Sequence, residues 1–457
     1  MLHGLHGFCA RWSIALVAVL AVVFAGRDAA GQGGGGMGGG GFGFGQAVGG
    51  IAIDADGIIN TIDPAALQEL AVARRAALAK ADAVDAAAVR RVSLKGLMKA
   101  IDEAAEGPLP ADVVFLAGLQ RVTHVFVDPD GHDIVLAGPA EAITIDAAGN
   151  AVGAESQRPP LQLEDLIAAL RAIDAARAGG IRCSIDPTPE GLTRLQTLLR
   201  SQRGLGPDPD ATLRRMEEAL GPQVVSVGGV PADTRFAHVL VAADYRMKRI
   251  GMGLESSGVA GLPSYTALVP AGGTAAALPR FWLEPSYEPL TRDPDELAWQ
   301  INGRTMTCLT ESDLLAKGGV KRGRGVADGI AKKWCAAMTT HYDALAAHQP
   351  VFADLVNCID LAVVAALIQG RQLDRRAGLD LTPLLDAETL PVPAYRVATS
   401  VPTVATKLRK GNGWVVTASG GVQFQPWAFA TETVEATELV AARTASLDPR
   451  PASGWHW

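Results

Sequence analysis

The stretch from Asp233 to Glu255 constrains the fold of this chain more than any other, because a complete helix pattern stands there beside a dense set of charges. Its apolar residues recur every three or four positions, which is the spacing of one helix face turned toward a core: Phe236, Val239, Leu240, Ala243, Met247 and Ile250. Asp233 can cap the start of such a helix, and Gly251 can end it. We therefore predict a helix over residues 233–250 that packs on a core by its apolar face.

The polar side of this predicted helix is the candidate functional site. Its members are His238, Asp244, Tyr245, Arg246, Lys248 and Arg249. Cations in the last turn of a helix offset the negative end of its dipole by ~0.3–1 kcal/mol each, and we favour this structural interpretation. The functional alternative is a site for an anion or a partner protein, in which Arg246 and Arg249 act together and Asp244 pairs with the lysine four residues later.

The first residues predict a secretory signal. Arg11 precedes thirteen uncharged, mostly apolar residues from Ile14 to Gly26, and small residues at 29–31 follow as a cleavage site. An apolar run must reach about 20 residues to cross a membrane, so we expect no membrane span. We expect a signal peptide over residues 1–31, a glycine-rich flexible tether over 32–45, and an exported protein that is periplasmic or extracellular after cleavage.

Charge and cysteine content narrow the classes of partner and fold. The formal net charge of −7 is mildly acidic, which gives no support to binding of nucleic acid or of an anionic membrane. Four cysteines follow the predicted signal, too few for a fold built on disulfides: Cys183, Cys308, Cys335 and Cys358. The last two flank a predicted helical hairpin and could face each other. The alternative is that all four are buried small apolar residues.

Short strand and helix patterns alternate along the chain, which predicts an α+β protein of two mixed domains built from antiparallel hairpins and helices. The expected divisions are an N-terminal α+β domain over 46–155, a helical connecting region over 161–222, a mixed domain over 223–432, and a C-terminal helix with a proline-rich tail over 433–457. A long helical hairpin, formed by residues 326–346 and 350–369, is expected in the C-terminal part.

Turn residues locate individual hairpins. Asp128-Pro-Asp-Gly131 has the proline and glycine of a tight turn, so it predicts a hairpin between strands 122–127 and 134–137. A further strand is expected over residues 113–116. Asn302-Gly303 is typical of a type I′ turn, and residues 298–309 are therefore predicted to fold back on themselves as one hairpin.

No metal or cofactor is expected. Residues 54–63 match the third to twelfth positions of a calcium-binding loop, but the first ligand position falls on Ala52, which has no ligand atom. A strand pattern also precedes the loop, so a hairpin turn at Asp56-Gly57 is favoured. His124 and His132 lack a third ligand, which favours surface positions for both. The sequence motifs of zinc proteases, redox dithiols and serine hydrolases are absent.

Several longer runs resemble an exported family known chiefly from planctomycetes and named only as domain of unknown function 1598. These runs are Val125-Phe-Val-Asp-Pro129, Asp133-Ile-Val-Leu-Ala-Gly-Pro139, Arg182-Cys-Ser-Ile-Asp-Pro187, Ala243-Asp-Tyr-Arg-Met-Lys248 and Phe281-Trp-Leu-Glu-Pro285. The resemblance would cover residues 46–430. It implies no activity, since the family has no catalytic residues to carry over.

Two functions remain open from the residues alone. The first is a non-catalytic extracytoplasmic binding or envelope-associated module, whose partner would be an envelope or extracellular protein. The second is a hydrolase or transferase that uses a carboxylate and a basic cleft on the predicted helix, with Asp244, His238, Arg246 and Lys248 as its working groups. The two differ in a structural consequence, because an enzyme needs these side chains to converge in one pocket.

Overall fold

Two mixed β-sheets lie at the centre of the computed structural model, and helices cover them. The α+β class is therefore confirmed. The structure describes residues 48–62, 64–79, 85–104, 109–201, 205–273, 276, 278–316, 319–325, 329–408, 413–448 and 454–457. The predicted signal peptide and glycine-rich tether, residues 1–45, lie outside this part, as does Asp63 of the calcium-like pattern.

The helices within the described residues are α1 Pro64–Leu78, α2 Leu94–Glu103, α3 Ala111–Val114, α4 Leu163–Gly179, α5 Pro189–Ser201, α6 Pro209–Leu220, α7 Arg235–Met252, α8 Tyr265–Leu268, α9 Gly329–Thr340, α10 Tyr342–His348, α11 Pro350–Gly370, α12 Leu373–Ala377, α13 Thr382–Leu385, α14 Pro426–Thr431 and α15 Glu438–Leu447. A 3₁₀ turn, Leu116–Gly118, follows α3.

The strands are β1 Ile51–Ile53, β2 Ile59–Thr61, β3 Ala87–Ser93, β4 His124–Asp128, β5 Asp133–Ala140, β6 Ile143–Ile145, β7 Ala151–Gly153, β8 Ile181–Pro187, β9 Gln223–Gly228, β10 Pro279–Ser286, β11 Leu290–Arg292, β12 Ala298–Gln300, β13 Thr305–Ala316, β14 Gly319–Gly325, β15 Ser400–Val401, β16 Thr406–Lys407, β17 Trp414–Val415, β18 Ser419–Phe424 and β19 Thr433–Glu435.

The larger sheet has seven strands in the order β14-β13-β10-β18-β8-β9-β15. All its pairings are antiparallel except that of β10 with β18, which is parallel. Helix α7 packs on β8 and β18 by one side and on α4 and α11 by another. This sandwiched position explains why α7 carries apolar residues around most of its circumference.

The second sheet has six strands in the order β19-β11-β12-β4-β5-β3. Its strands come from the predicted N-terminal domain, from the predicted mixed domain over 223–432 and from the C-terminal division, and β12 pairs directly with β4. The predicted helical connecting region over 161–222 also contributes β8, an interior strand of the larger sheet. The two-domain arrangement is therefore not confirmed, because strands distant in sequence share both sheets.

Helix α11 is the most deeply buried helix of the described chain, with every residue from Val351 to Ile368 in the interior. It is the one helix of the described residues that is long and apolar enough to cross a membrane, yet its apolar window is fully buried inside the protein. The long helical hairpin is not confirmed as predicted. Its first arm is divided at His341 into α9 and α10, and residues 326–328 lie outside the described part.

Two local predictions were wrong. Residues 113–116 form the end of α3 and the start of the 3₁₀ turn, not a strand, and Leu116 and Ala117 adopt positive φ values of 46° and 53° inside the core. Asn302-Gly303 does not close a hairpin. It connects β12, which pairs with β4 and β11, to β13, which pairs with β10 in the other sheet. In both places, contacts with distant segments override the local pattern.

Other hairpins agree with the sequence. The turn at 128–131 joins β4 to β5, with Asp128 opposite Asp133. The turn at Asp56-Gly57 joins β1 to β2, and the Asp54 carboxylate closes it by accepting from the backbone N–H of Asp56 and Ile58. Asp54 thus has a role in the turn itself.

The cysteine pair suggested by the sequence was wrong. Cys335 lies against Cys308, with 3.4 Å between the two sulfur atoms. The thiol of Cys358 donates instead to the carboxyl of Asp165 on α4. All four cysteines of the described chain are buried and unlinked.

Candidate functional site

Helix α7 carries the candidate residues, and both of its ends differ from the prediction. Thr234, not Asp233, caps the start, because its hydroxyl accepts from the N–H of Ala237 at 3.2 Å. The helix ends at Met252 and is followed by Gly253, whose φ of +74° places it in the left-handed region. Gly251 is helical. A side chain there would meet the ring of Trp334 at 3.3 Å, so this glycine permits close packing and does not end the helix.

Asp244 and Lys248 form a buried ion pair on the side of α7 that faces the larger sheet. The ammonium of Lys248 donates to Asp244 Oδ2 at 2.7 Å, to the carbonyl of Gly420 at 2.9 Å and to the carbonyl of Ile185 at 3.2 Å. An ammonium group has three N–H bonds, so its hydrogen-bonding capacity is filled. Lys248 therefore ties α7 to β8 and β18 and has no donor left for a ligand.

Asp244 itself is fully inaccessible to solvent. Burial raises the pKa of Asp244 to about 7, although the neighbouring Lys248 opposes this shift. Its second oxygen, Oδ1, has no hydrogen-bond partner among the described residues. Sequence reasoning missed two charged neighbours of this pair. Asp186 on β8 and Arg280 on β10 lie 3.7 Å apart across the intervening strand β18. The guanidinium of Arg280 stacks on Trp282 at 4.7 Å.

Arg246 and Arg249 both pair with one carboxylate, that of Glu255. Arg246 contacts Glu255 Oε1, and the Nε of Arg249 lies 3.5 Å from Oε2. Arg246 also donates to the carbonyl of Gly49 at 3.2 Å and to the side chain of Gln349 at 3.4 Å. The two arginines therefore act together, as the functional alternative supposed, but the anion between them belongs to the protein.

Tyr245, Lys248 and Arg249 line a small cavity at the C-terminal end of α7. The cavity has a volume of about 30 Å³, and its lining also includes Gln223 and Thr417. A volume of this size holds about one or two water molecules. Arg249 lies over the ring of Tyr245 at 5.5 Å, and both residues are partly exposed, so we refer to this pair as the cavity mouth.

His238 belongs to a different face of α7. Its Nε2 lies 2.5 Å from the backbone oxygen of Arg396, and its ring meets Tyr395 edge-on with 4.9 Å between centroids. Burial lowers the pKa of His238. The structure thus divides the six candidate residues into three groups: the Asp244 and Lys248 pair, the residues around Glu255 and the cavity, and the separate histidine.

Sequence reasoning missed a second charged cluster, which surrounds Arg235 at the start of α7. The guanidinium of Arg235 contacts Asp165, lies 3.0 Å from Asp354 and lies 3.8 Å from Glu164. The hydroxyl of Tyr395 donates to Glu164 at 3.1 Å. The one available signal was the position of Asp354 within the apolar run of α11, where a carboxylate needs a partner.

Carboxylates outnumber the arginine in this Arg235 cluster, and burial makes their charge costly. Burial raises the pKa of Glu164 to about 7 and that of Asp165 to about 6, although Arg235 opposes both shifts. Each also feels a neighbouring carboxylate, since Asp165 raises the pKa of Glu164 and Asp354 raises that of Asp165. The Arg235 cluster should therefore take up protons as the pH falls from 8 to 5.

Replacing Glu164 by glutamine tests this charge balance. A carboxyl group whose pKa rises from 4.5 to about 7 on folding contributes stability that is complete below pH 4.5 and is lost as the pH rises through 7. Glutamine carries no charge, so a variant with glutamine at this position does not lose that stability as the pH rises. We expect Glu164→Gln to match the wild type near pH 4.5 and to be more stable by ~1–3 kcal/mol at pH 8, measured by urea titration.

The control for this variant is Glu218→Gln, which changes an exposed glutamate of α6. Its effect should be small and independent of pH. A Glu164→Gln effect that is the same at pH 4.5 and pH 8 would contradict the raised pKa.

The pair of arginines around Glu255 gives a second prediction. The Glu255 side chain keeps 20% of its surface exposed, so water can solvate its charge when both arginines are removed. We expect Arg246→Ala/Arg249→Ala to lower the free energy of unfolding by ~1–2 kcal/mol in a denaturant titration. The variant loses the positive charge at the end of the helix and the partly exposed ion pairs with Glu255. The exposed Arg200→Ala serves as control. A loss of ~3–5 kcal/mol would show instead that a buried charge had been stranded.

The histidines at positions 124 and 132 contact different parts of the protein. Within the described residues, no group of three or more histidine, cysteine or acidic side chains is arranged to hold a metal ion. His124 contacts the hydroxyl of Thr123 and stacks on Phe126, and His132 contacts the backbone oxygen of Ala377. The two histidines thus have separate partners.

Comparison with known proteins finds a family match in part of the chain. No curated protein and no solved structure matches it. A family match covers residues 183–265, a smaller part than the 46–430 expected from the resemblance, and includes α7, the Asp244 and Lys248 pair, and Glu255. Residues 183–265 match the family described as "Protein of unknown function (DUF1598)".

Proposed function

We propose that this chain is an exported, non-catalytic module that binds an envelope or extracellular protein. The observation that carries the proposal is the filled coordination of Lys248, whose three N–H bonds all go to the protein. Arg246 and Arg249 are likewise held by Glu255. The charges on α7 thus stabilise the fold and do not form a reaction centre. The apolar leader at 14–26 supports export.

The cavity beside α7 favours a macromolecular partner. Its volume of about 30 Å³ is far below the ~300 Å³ or more that a pocket for a drug-sized ligand provides. The lining residues include Tyr245, Arg249 and Val404, and the last is 38% exposed. Tyrosine and arginine are enriched in protein interfaces, and an exposed apolar residue beside them adds to the area that a partner can bury. We propose this cavity mouth as the binding surface.

Cell fractionation and charge reversal test the proposal. The protein should be recovered outside the cytoplasm with an N-terminus near residue 32, and it should sediment with the cell-envelope fraction of its source. Arg249→Glu should reduce this co-sedimentation at least tenfold, while the matched Arg200→Glu at an exposed position of α5 should not. Thermal melts must show both variants folded. If the two charge-reversal variants reduced co-sedimentation equally, the cavity mouth would not be the binding surface. If the protein stayed in the cytoplasm, the export proposal would be refuted.

One observation favours the second candidate, a hydrolase or transferase. Burial raises the pKa of Asp244 to about 7, which lies in the range where a carboxylate acts as a general base. Of the other working groups, only Lys248 contacts Asp244. His238 contacts Arg396 and Arg246 contacts Glu255, so the four do not converge in one pocket. Asp244→Asn separates the two functions. It should abolish turnover if the protein is an enzyme and leave envelope binding unchanged if it is a binding module.

A further inference from the structure

Two buried thiols lie in contact between the larger sheet and the helix that covers it. Cys308 is in β13 and Cys335 is in α9, each is 4% exposed, and their sulfur atoms are 3.4 Å apart. A disulfide needs a separation of about 2.05 Å, so ~1.4 Å of approach is required, which side-chain rotation can supply when the backbones are already close. The two residues are therefore placed for a covalent link.

Backbone contacts hold the pair in position. The N–H of Cys308 donates to the hydroxyl of Thr339, one helical turn beyond Cys335, at 2.9 Å. On the other side, Cys308 pairs with Leu283 in the register of β10 and β13. Strand and helix are thus fixed against each other at this point, and the contact between the sulfur atoms follows from the fold.

The remaining two cysteines have other surroundings. Cys358 donates its thiol hydrogen to Asp165 in the Arg235 cluster, and Cys183 lies beside Asp244 and Lys248. Among the four cysteines of the described chain, the geometry selects one of the six possible pairs. A sulfur–sulfur link should therefore be specific to residues 308 and 335.

We infer that Cys308 and Cys335 form a disulfide bond when the chain is exported, an inference that rests on the export part of the proposed function. The oxidant is a disulfide of a protein dithiol oxidase or of a small thiol. Before folding buries the pair, one cysteine thiolate attacks that disulfide and displaces one of its sulfurs. The second thiolate then attacks the mixed disulfide, and the oxidant leaves as two thiols with two electrons and two protons. Burial of the product then shields it from reductants.

Peptide mapping of the full chain tests the link. Protein recovered from an oxidising compartment is denatured with an alkylating reagent present and digested without reductant. We expect a peptide in which residues 308 and 335 are joined, lighter by two hydrogen atoms than the separate peptides, while Cys183 and Cys358 are alkylated. The Cys183→Ala variant should keep the link. Alkylation of both Cys308 and Cys335, or a link from either to Cys358, would overturn the inference.

A second experiment tests disulfide formation independently of export. Protein purified fully reduced is refolded from denaturant in a graded series of oxidised and reduced glutathione, because the folded chain buries both thiols, and the joined peptide is measured at each ratio. It should appear as the buffer becomes oxidising, and the melting temperature should rise with it. Failure to form the link in any buffer would overturn the pairing. If the link forms here but the protein from its native source carries both thiols free, the pairing stands and the export proposal fails.

Discussion

Replacing Arg235 by methionine is expected to lower the free energy of unfolding by ~3–5 kcal/mol at pH 7.5, because it strands buried carboxylates. The arginine side chain is 8% exposed and is the shared partner of Asp165, Asp354 and Glu164. Methionine has a similar length and is apolar, so it fills the space without supplying charge. Loss of packing alone would cost much less, and denaturant titration measures the difference.

The pH dependence of this loss identifies its cause. Burial already raises the pKa of Glu164 to about 7 and that of Asp165 to about 6. Protonation neutralises both groups as the pH falls, so the cost of Arg235→Met should shrink markedly between pH 7.5 and pH 5. Adding Glu164→Gln to the variant should recover part of the stability at pH 7.5, since contacting residues are energetically coupled.

The matched control is Arg200→Met on α5, where an exposed arginine is replaced by the same residue. Its effect should stay within about 0.5 kcal/mol at every pH. If Arg235→Met cost less than ~1 kcal/mol, or cost the same at pH 5 and pH 7.5, the buried carboxylates of the Arg235 cluster would not depend on Arg235 for their stabilisation.

Phe236→Ala is expected to cost ~3–5 kcal/mol, through lost burial of the ring and the cavity that remains. Phe236 is fully buried in α7, the helix that packs on the larger sheet by one side and on α4 and α11 by another. A helix held on both sides cannot shift freely to fill a void, so the cost should lie near the upper part of this range. The midpoint of a denaturant titration reports the loss.

Tyr245→Ala on the same helix is the control for Phe236→Ala. It removes an aromatic ring from a partly exposed position at the cavity mouth, so it should cost ~1 kcal/mol or less. Equal losses for the two variants would show that α7 is not packed by the face that contains Phe236.

Local interactions of α7 could be predicted from the sequence because helical geometry fixes the neighbours of each residue. The spacing of Phe236, Leu240 and Met247 identified the buried face, and the separation of four residues between Asp244 and Lys248 identified their ion pair. The helix ends shifted by one or two residues. Capping is decided by which side chain reaches a free N–H, and Thr234 does so.

Charged partners from other elements could not be predicted. Asp165 and Asp354 meet Arg235 because α4, α7 and α11 pack together, and nothing in the spacing of three segments so distant in sequence records that approach. Glu255 was missed for another reason. It lies beyond the end of α7, where the chain is no longer helical. Its contact with Arg246 and Arg249 therefore depends on the conformation of the loop that follows the helix.

The sequence by itself determined the α+β class, helix α7 with its buried face, and the hairpins closed by Asp56-Gly57 and by residues 128–131, because each depends on neighbours within a few positions. Only the tertiary structure decided which strands share a sheet. Asn302-Gly303 has the residues of a hairpin turn, but β12 pairs with β4 and β13 pairs with β10. Strand edges bind any partner of suitable register, so burial of the whole core, and not the turn between two strands, selects the pairing.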